Sequence, residues 1–146
     1  MRKGSFATLG ILALLAATSA FGQQKLQVAI PFEFHFADKV VSAGNYEVSM
    51  GSNGGGHLLS LECFACGAHV YSMTFPIGGG NAPIEARLVF NKYGDTYYLS
   101  EAWAPGDSQG GSLAKSKTER EIARTTPAVA RFTLPARKSR VTIARR

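Results

Sequence analysis

The sequence predicts an all-β fold, either an antiparallel β-sandwich or a partly open barrel, with one short helix near the C-terminus. Several segments alternate apolar and polar residues with a period of two, which is typical of half-buried strands. Turn-forming residues separate these segments at intervals of ~8–12 residues, a spacing typical of sandwiches and barrels. Helix signals begin only at Ser116, after the predicted strands.

Residues 1–22 are predicted to be a secretory signal peptide. Arg2 and Lys3 precede a short apolar run, Leu9–Ala17, and small residues suited to cleavage follow it. The run is shorter than the ~20 apolar residues that a membrane-spanning helix needs. We therefore expect a periplasmic or secreted chain of one β domain, residues 23–127, followed by a basic C-terminal segment, residues 128–146.

The first predicted strand region alternates from Leu26 to Phe36. Its apolar face carries Val28, Ile30, Phe32, Phe34 and Phe36. Pro31 lies on the opposite face and has no N–H to donate, so it predicts an edge strand or a bulge. A turn follows, and then a brief strand pairing at Val40 and Val41 is expected.

Three further alternating segments are predicted strands. They are Tyr46–Met50, His57–Cys63 and Ala68–Phe75. Tyr71, Met73 and Phe75 share one face of the third. The glycine-rich segments 51–56 and 76–83 are predicted loops, and the second lacks the lysine and following helix of a phosphate-binding P-loop, so that function is excluded.

The most distinctive stretch, Ala86–Gly106, predicts a β-hairpin. Two aromatic-rich runs flank Gly94, which favours a tight turn because glycine tolerates positive φ. Glu101 is predicted on the same face as Leu99 and Trp103. It is interpreted either as a sheet-edge carboxylate, exposed or paired with an arginine, or as a group at the mouth of a binding cavity.

A capping box predicts a short helix over residues 116–124. In this motif the side chains of Ser116 and Glu119 satisfy each other's backbone N–H groups. Pro127 ends the helix, because the residue before a proline disfavours helical backbone. Beyond it, residues 129–134 are a predicted strand, whereas residues 140–143 fit either a closing strand or a tail.

Charge is distributed unevenly along the chain. Residues 112–146 contain ten Lys or Arg and two Glu, a net charge of +8, whereas residues 23–111 carry a net charge of −4. The basic end therefore favours attraction to the acidic β domain or to an anionic partner.

Motifs in both halves make the chain similar to a known group of proteins. They are Ile30-Pro31-Phe32-Glu33-Phe34, Ala43-Gly44-Asn45-Tyr46-Glu47-Val48, Leu88-Val89-Phe90 with Tyr93-Gly94-Asp95, Leu99-Ser100-Glu101 with Trp103, Pro105-Gly106, and Ser116-Lys117 with Glu119-Arg120-Glu121. The chain resembles small exported β-rich proteins of unknown function that are common in acidobacteria. This resemblance covers nearly all of the chain from the expected cleavage site to about Ala123. It implies an exported, mainly β domain and no particular activity.

Cys63 and Cys66 form the most specific local motif. In an oxidising compartment we expect a disulfide across a hairpin turn. One alternative is a metal site completed by His57 and His69. Another is a redox-active or free thiol pair, although such pairs usually lie at a helix N-terminus and strands flank this one. Gly67 stands where a haem c attachment motif has histidine, so that class is excluded.

Two other sets of residues are candidate binding sites. A ligand cavity inside a hollow barrel would be lined by Phe32, Phe34, Tyr97 and Trp103. Contact with an anionic envelope polymer or with lipid headgroups would involve Arg131, Arg137, Lys138, Arg140, Arg145 and Arg146. Nucleic acid is not an expected partner, because no aromatic residues interleave these arginines.

The sequence predicts neither an enzyme nor a cofactor. No serine lies in a nucleophile-elbow pattern, and no two carboxylates have a spacing suited to acid–base catalysis. We expect an exported, non-enzymatic binding or structural module of the cell envelope. The alternatives are a small ligand-binding β-barrel with an aromatic cavity, and a metal or thiol protein that uses Cys63 and Cys66.

Overall fold

A computed structural model describes residues 24–53, 56–78, 80–126 and 130–138. The predicted signal peptide lies outside these residues. The described part of the chain contains ten strands and one helix. In chain order they are β1 (Gln24–Ile30), β2 (Phe34–Phe36), β3 (Lys39–Val41), β4 (Gly44–Asn53), β5 (Gly56–Cys63), β6 (Ala68–Gly78), β7 (Ala86–Tyr93), β8 (Thr96–Trp103), β9 (Gln109–Ser112), α1 (Lys117–Thr125) and β10 (Ala130–Lys138).

Eight of these strands close into an antiparallel barrel. Around the barrel the order is β1, β4, β5, β6, β9, β8, β7 and β10, and β10 pairs again with β1. The remaining two, β2 and β3, form a short hairpin, and β2 runs parallel to β8. The predicted all-β class with one C-terminal helix is confirmed, and the architecture is a closed barrel.

Side chains fill the interior of the barrel. Tyr46, Phe90 and Leu61 are each 1% exposed or less, and Phe34 from the β2–β3 hairpin joins the same core at 0%. An eight-stranded barrel is just wide enough for its inward side chains to fill it. Because each large buried apolar side chain contributes roughly 1.5–3 kcal/mol, this filled core holds the barrel together.

The long alternating segment from Leu26 to Phe36 breaks into two strands. β1 pairs with β4 as far as Ile30, and the chain then leaves the barrel wall and resumes as β2 beside β8. Pro31 lies at the break, because it cannot supply the N–H that a continuing ladder would need. The predicted apolar face survives, since its residues from Val28 to Phe36 are all buried or half-buried.

Both glycine-rich segments contribute to strands, contrary to the predicted loops. β4 continues to Asn53 and β5 begins at Gly56, and these two residues pair with each other. The stretch Phe75–Gly78 pairs with β9, a strand that the sequence did not predict. A Cβ on Gly111 of β9 would lie 2.8 Å from Oγ1 of Thr74, so a side chain at this position would have to displace that of Thr74.

The predicted hairpin of β7 and β8 is confirmed, but it contains a bulge. Phe90 pairs with Leu99, whereas the preceding Val89 pairs with Glu101, so Ser100 is an extra residue on β8. The bulge reverses the alternation, so that Leu99 points into the core while Glu101 lies on the outer face. The prediction that these two residues share a face is therefore wrong.

Helix α1 begins where the capping box predicts, but only the Ser116 half of that motif is confirmed. The predicted return bond from the Glu119 side chain to the backbone N–H of Ser116 is wrong, because the carboxylate accepts bonds from β7 instead. The side chain of Ser116 accepts a hydrogen bond from the backbone N–H of Glu119 at 3.1 Å. The Glu119 carboxylate is itself buried, and its Oε1 accepts bonds from Asn91 Nδ2 and from the Tyr93 hydroxyl, both at 3.0 Å. These bonds fix the helix against the β7–β8 hairpin.

β10 contains the predicted strand of residues 129–134 from Ala130 onward and extends it to Lys138. Its ladder to β1 includes Leu26 with Lys138 and Gln27 with Arg137. The segment 140–143 lies outside the described residues.

Candidate functional site

The predicted disulfide between Cys63 and Cys66 is confirmed. It spans the turn between β5 and β6, with Cys63 buried and Cys66 at the surface. Gly44 packs against it, since a Cβ at that position would lie 3.4 Å from the Cys63 sulfur. Such bonds are typical of proteins that fold in an oxidising compartment outside the cytoplasm.

The disulfide is incompatible with the alternatives of a metal site or free thiols, because a metal ligand must be a thiolate. The two histidines that would complete the metal site occupy different places. His57 lies at the start of β5 opposite Thr74, whereas the ring of His69 lies 3.1 Å from the hydroxyl of Ser60. Within residues 24–138 as far as they are described, no group of three or more potential ligands is arranged to hold a metal ion.

Of the four aromatic residues predicted to line a cavity, Phe34 lies in the core, and Phe32 and Tyr97 pack against it. Phe32 stacks on Tyr97 with ring centroids 3.8 Å apart, and its ring meets Phe90 edge-on at 5.2 Å. Phe34 is fully buried against the same Phe90 ring. Trp103 lies elsewhere, on the outer face of β8, so the structure does not bring the four residues together around a cavity.

Trp103 and Glu101 belong to a polar cluster on the outside of β7, β8 and β10. The indole Nε1 of Trp103 donates to Oε2 of Glu101 at 3.0 Å, and Arg131 forms an ion pair with the other carboxylate oxygen. The guanidinium of Arg87 lies 5.3 Å from the centre of the indole ring. Glu101 is therefore paired with an arginine, as the first of its two interpretations expected, but it does not lie at a sheet edge, because β8 pairs with both β7 and β9.

The predicted polyanion contacts are only partly within the described residues. Arg131 is engaged by Glu101. Arg137 is exposed and lines two grooves beside β10, of ≈ 720 and ≈ 330 Å³, and Lys138 ends that strand. The residues outside the described ranges are Arg140, Arg145 and Arg146.

Shifted pKa values among the described residues have structural causes. Burial, and then the hydrogen bond to Glu119, raise the pKa of Tyr93 to about 12. Burial also raises the pKa of Tyr98, whose ring meets that of Tyr93 edge-on. The pKa of Lys25 is raised by its hydrogen bond and ion pair with Glu47. Burial and ion pairing of this kind also occur in purely structural sites.

A small cavity opens beside the last part of β4 and the first part of β5. Its volume is ≈ 240 Å³, below the range of roughly 300–1,000 Å³ that is usual for small-molecule sites. Its lining includes Met50, Leu59 and Ala102 as an apolar floor and His57, Thr74, Asp107 and Gln109 as polar groups. The Thr74 hydroxyl donates to the His57 carbonyl at 3.2 Å, and Asp107 accepts from the Gln109 N–H at 2.8 Å. Two of the polar side chains in the lining, Thr74 and Asp107, therefore already form hydrogen bonds within the protein.

A larger polar surface lies on the outside of β1, β4, β5 and β6. The strand registers place its residues in rows, namely Lys25-Ser49-Ser60-Tyr71, then Gln27-Glu47-Glu62-His69, and then Gly51-Leu58-Met73. A groove of ≈ 390 Å³, which we term the outer groove, is lined by Lys25, Glu47, Ser49, Gly51, Leu58, Ser60, Glu62, His69 and Tyr71.

Two carboxylates in the lining of this groove lie side by side on neighbouring strands. Glu47 lies directly opposite Glu62 on the neighbouring strand, an arrangement that destabilises a sheet by roughly 0.2–1 kcal/mol. Lys25 Nζ lies 2.8 Å from Oε1 of Glu47, so it compensates one of the two charges. The groove lining therefore carries more negative than positive formal charge.

An apolar row borders the outer groove along β6. Tyr71, Met73 and Phe75, which we term the β6 row, are 65%, 56% and 63% exposed. The alternation in the sequence places these three residues on one face of the strand but does not indicate which face is buried. Their hydrophobicity alone would favour burial of this face, whereas the structure exposes it. The opposite positions hold the smaller Val70, Ser72 and Thr74, of which Val70 lies in the core and Thr74 lines the small cavity. Sequence reasoning therefore missed this surface.

Within the described residues, no helix is long and apolar enough to cross a membrane. Comparisons of the chain with models of protein families, with curated proteins and with solved structures gave no match. The surfaces are therefore interpreted from their own chemistry.

Proposed function

We propose that this chain is an exported, non-enzymatic binding module of the cell envelope that holds its partner on the outside of the barrel. The observation that carries the proposal is the β6 row, where the more apolar face of a strand points into solvent. The disulfide and the predicted signal peptide support export, as does the resemblance to exported acidobacterial proteins.

The β6 row has the properties of an interaction surface. Each large apolar side chain that stays in water forgoes roughly 1.5–3 kcal/mol of burial. Contiguous exposed apolar residues on a well-packed domain usually mark a binding site. The filled interior offers no comparable surface, because its aromatic rings already contact one another.

Binding of the purified mature protein to washed envelope fractions of the producing cells tests the proposal. The variant Tyr71→Ser/Met73→Ser/Phe75→Ser should bind at least about tenfold more weakly, since it loses about 1.4 kcal/mol or more of apolar contact. The matched control, Val40→Ser/Phe64→Ser/Ile84→Ser, removes three exposed apolar residues elsewhere, which are 59%, 73% and 95% exposed. Equal binding by the two triple variants would refute the proposal.

A second candidate partner is an anionic envelope polymer or a lipid headgroup that contacts the basic C-terminal segment. The exposure of Arg137 on β10 favours it. Binding of this type would weaken strongly between low and high salt, because ions screen exposed charges over about 8–10 Å. The variant Arg137→Ser/Lys138→Ser should then bind anionic vesicles less well at low salt, and unchanged binding would exclude this partner.

A further inference from the structure

We infer that the partner held by the outer groove is a glycan, uncharged or bearing amino groups, and that one of its sugar rings stacks on Tyr71. This inference rests on the proposed function and assigns the ligand class to that surface. Three features of the groove carry it: an exposed aromatic ring, adjacent hydrogen-bonding side chains and an excess of negative charge.

The aromatic ring suits the apolar face of a sugar. A pyranose presents a patch of C–H groups on its ring face and hydroxyls around its edge. Tyr71 is 65% exposed and lines the groove, so its ring is available to the C–H face while its hydroxyl stays in water. Met73 and Phe75 follow on the same face of β6 in steps of about 7 Å, two residues of a strand. The row therefore extends along one direction, as a linear oligosaccharide does.

Hydrogen-bonding side chains lie beside the Tyr71 ring. Ser60 is directly opposite Tyr71 on β5, and its Oγ lies 3.1 Å from Nε2 of His69. Glu62 and Ser49 complete the neighbouring positions. Together these side chains offer both donors and acceptors, which a hydroxyl requires because it does both.

The charge of the groove selects among glycans. Lys25 forms an ion pair with Glu47 and attracts Glu62 only at longer range, so one cation serves two carboxylates that lie side by side. A polyanionic chain would bring further negative charge to this pair of carboxylates. Sugar hydroxyls or an amino group would instead supply donors to Glu62, so the ligand offsets a repulsion that the barrel alone leaves in place.

The same charge disfavours other occupants. A second copy of the chain related by a twofold axis would place the carboxylates of one copy against those of the other, since such interfaces use one patch twice. An anionic lipid surface would be repelled in the same way. The glycan is the occupant whose chemistry matches the aromatic, hydrogen-bonding and acidic parts together.

Calorimetric titration of the mature protein with soluble oligosaccharides tests the inference. The panel comprises cellohexaose, the hexamer of N-acetylglucosamine, the hexamer of glucosamine and, as the polyanion, a heparin hexamer. At least one of the first three should bind. Tyr71→Ala and Ser60→Ala/Glu62→Gln should each weaken that binding about tenfold, the equivalent of 1.4 kcal/mol. Phe64→Ala, which removes an exposed ring on the β5–β6 turn, should leave it within twofold.

The outcomes separate this inference from the proposed function. If no oligosaccharide binds, if only heparin binds, or if Tyr71→Ala binds as well as wild type, the glycan assignment is overturned. It is also overturned if ultracentrifugation shows a dimer that is abolished in Tyr71→Ser/Met73→Ser/Phe75→Ser, the β6-row variant. In each of these cases envelope binding that depends on the β6 row would leave the proposed function standing. If the β6-row variant keeps envelope binding, the proposed function fails as well.

Discussion

At the scale of single residues, Tyr93 links the helix to the barrel through one hydroxyl. It is 1% exposed and donates to the buried carboxylate of Glu119. Its pKa is raised to about 12 in the folded protein, whereas an unfolded tyrosine ionises near 10. Between about pH 10 and pH 12 the Tyr93 hydroxyl therefore stays protonated in the folded chain but ionises in the unfolded chain. Stability from this source is fully present below about pH 10 and declines as the pH rises toward 12.

We therefore expect Tyr93→Phe to act differently at neutral and alkaline pH. At pH 8 it should lower the free energy of unfolding by about 1–3 kcal/mol, because Glu119 loses a buried donor. Between pH 10 and 11.5 the difference between variant and wild type should shrink. Urea denaturation at each pH measures both effects, with Tyr71→Phe as the exposed control. A constant difference across this range would show that Tyr93 ionises normally.

Gly110 on β9 is required by the indole beside it. A Cβ at this position would lie 2.6–2.8 Å from three ring atoms of Trp103. Gly110→Ala should displace the indole, weaken its bond to Glu101 and cost about 1–3 kcal/mol. Because Trp103 is the only tryptophan, its fluorescence maximum reports the displacement directly. Gly80→Ala is the control, since nothing lies within 4 Å of a Cβ there, and equal spectra for both variants would contradict the prediction.

Residues whose role is local were predictable from sequence. The cap at Ser116 follows from a four-residue motif, and Gly94 from the turn between two alternating runs. The bonds of Glu119 to Asn91 and Tyr93 did not, because they depend on a strand distant in sequence. Glu101 was not predictable either, because the extra residue at Ser100 changes the face on which everything after it lies. A bulge depends on the partner strand, and alternation within one strand does not contain that information.

At the scale of elements, the disulfide hairpin of β5 and β6 is expected to be a modest stabiliser. The bond closes a loop of only four residues, Cys63–Cys66, so the lost chain entropy corresponds to about 2 kcal/mol. We expect Cys63→Ala/Cys66→Ser to remain folded, with its free energy of unfolding lowered by about that amount. Wild-type protein in excess reductant should show the same decrease in urea denaturation. Complete unfolding of either sample would mean that the bond does more than close this turn.

The elements that sequence reasoning missed share a physical cause. β9 and the end of β6 are rich in glycine, which weakens a strand locally, yet their close approach depends on glycine lacking a side chain. The break after Ile30 was signalled by Pro31, but its result, a parallel pairing of β2 with β8, depends on contacts distant in sequence. The candidate site was predicted least well, because β6 carries larger apolar residues on its outer face than on its inner one.

At the scale of the whole molecule, the barrel separates the residues that hold the fold from those proposed to bind. Leu61 of β5 is 0% exposed in the core, whereas Met73 on the neighbouring strand is 56% exposed. Burial, and not hydrophobicity as such, decides how much a side chain stabilises the protein.

This separation gives the last prediction. Tyr71→Ser/Met73→Ser/Phe75→Ser should change the free energy of unfolding by no more than about 0.5 kcal/mol per site, since exposed substitutions seldom exceed this. Leu61→Ala should cost about 2–5 kcal/mol, because it leaves a cavity in a filled core. Urea denaturation followed by circular dichroism compares the two. A loss of several kcal/mol in the triple variant would mean that the β6 row packs against part of its own chain, and its exposure could then no longer serve as evidence for an external partner.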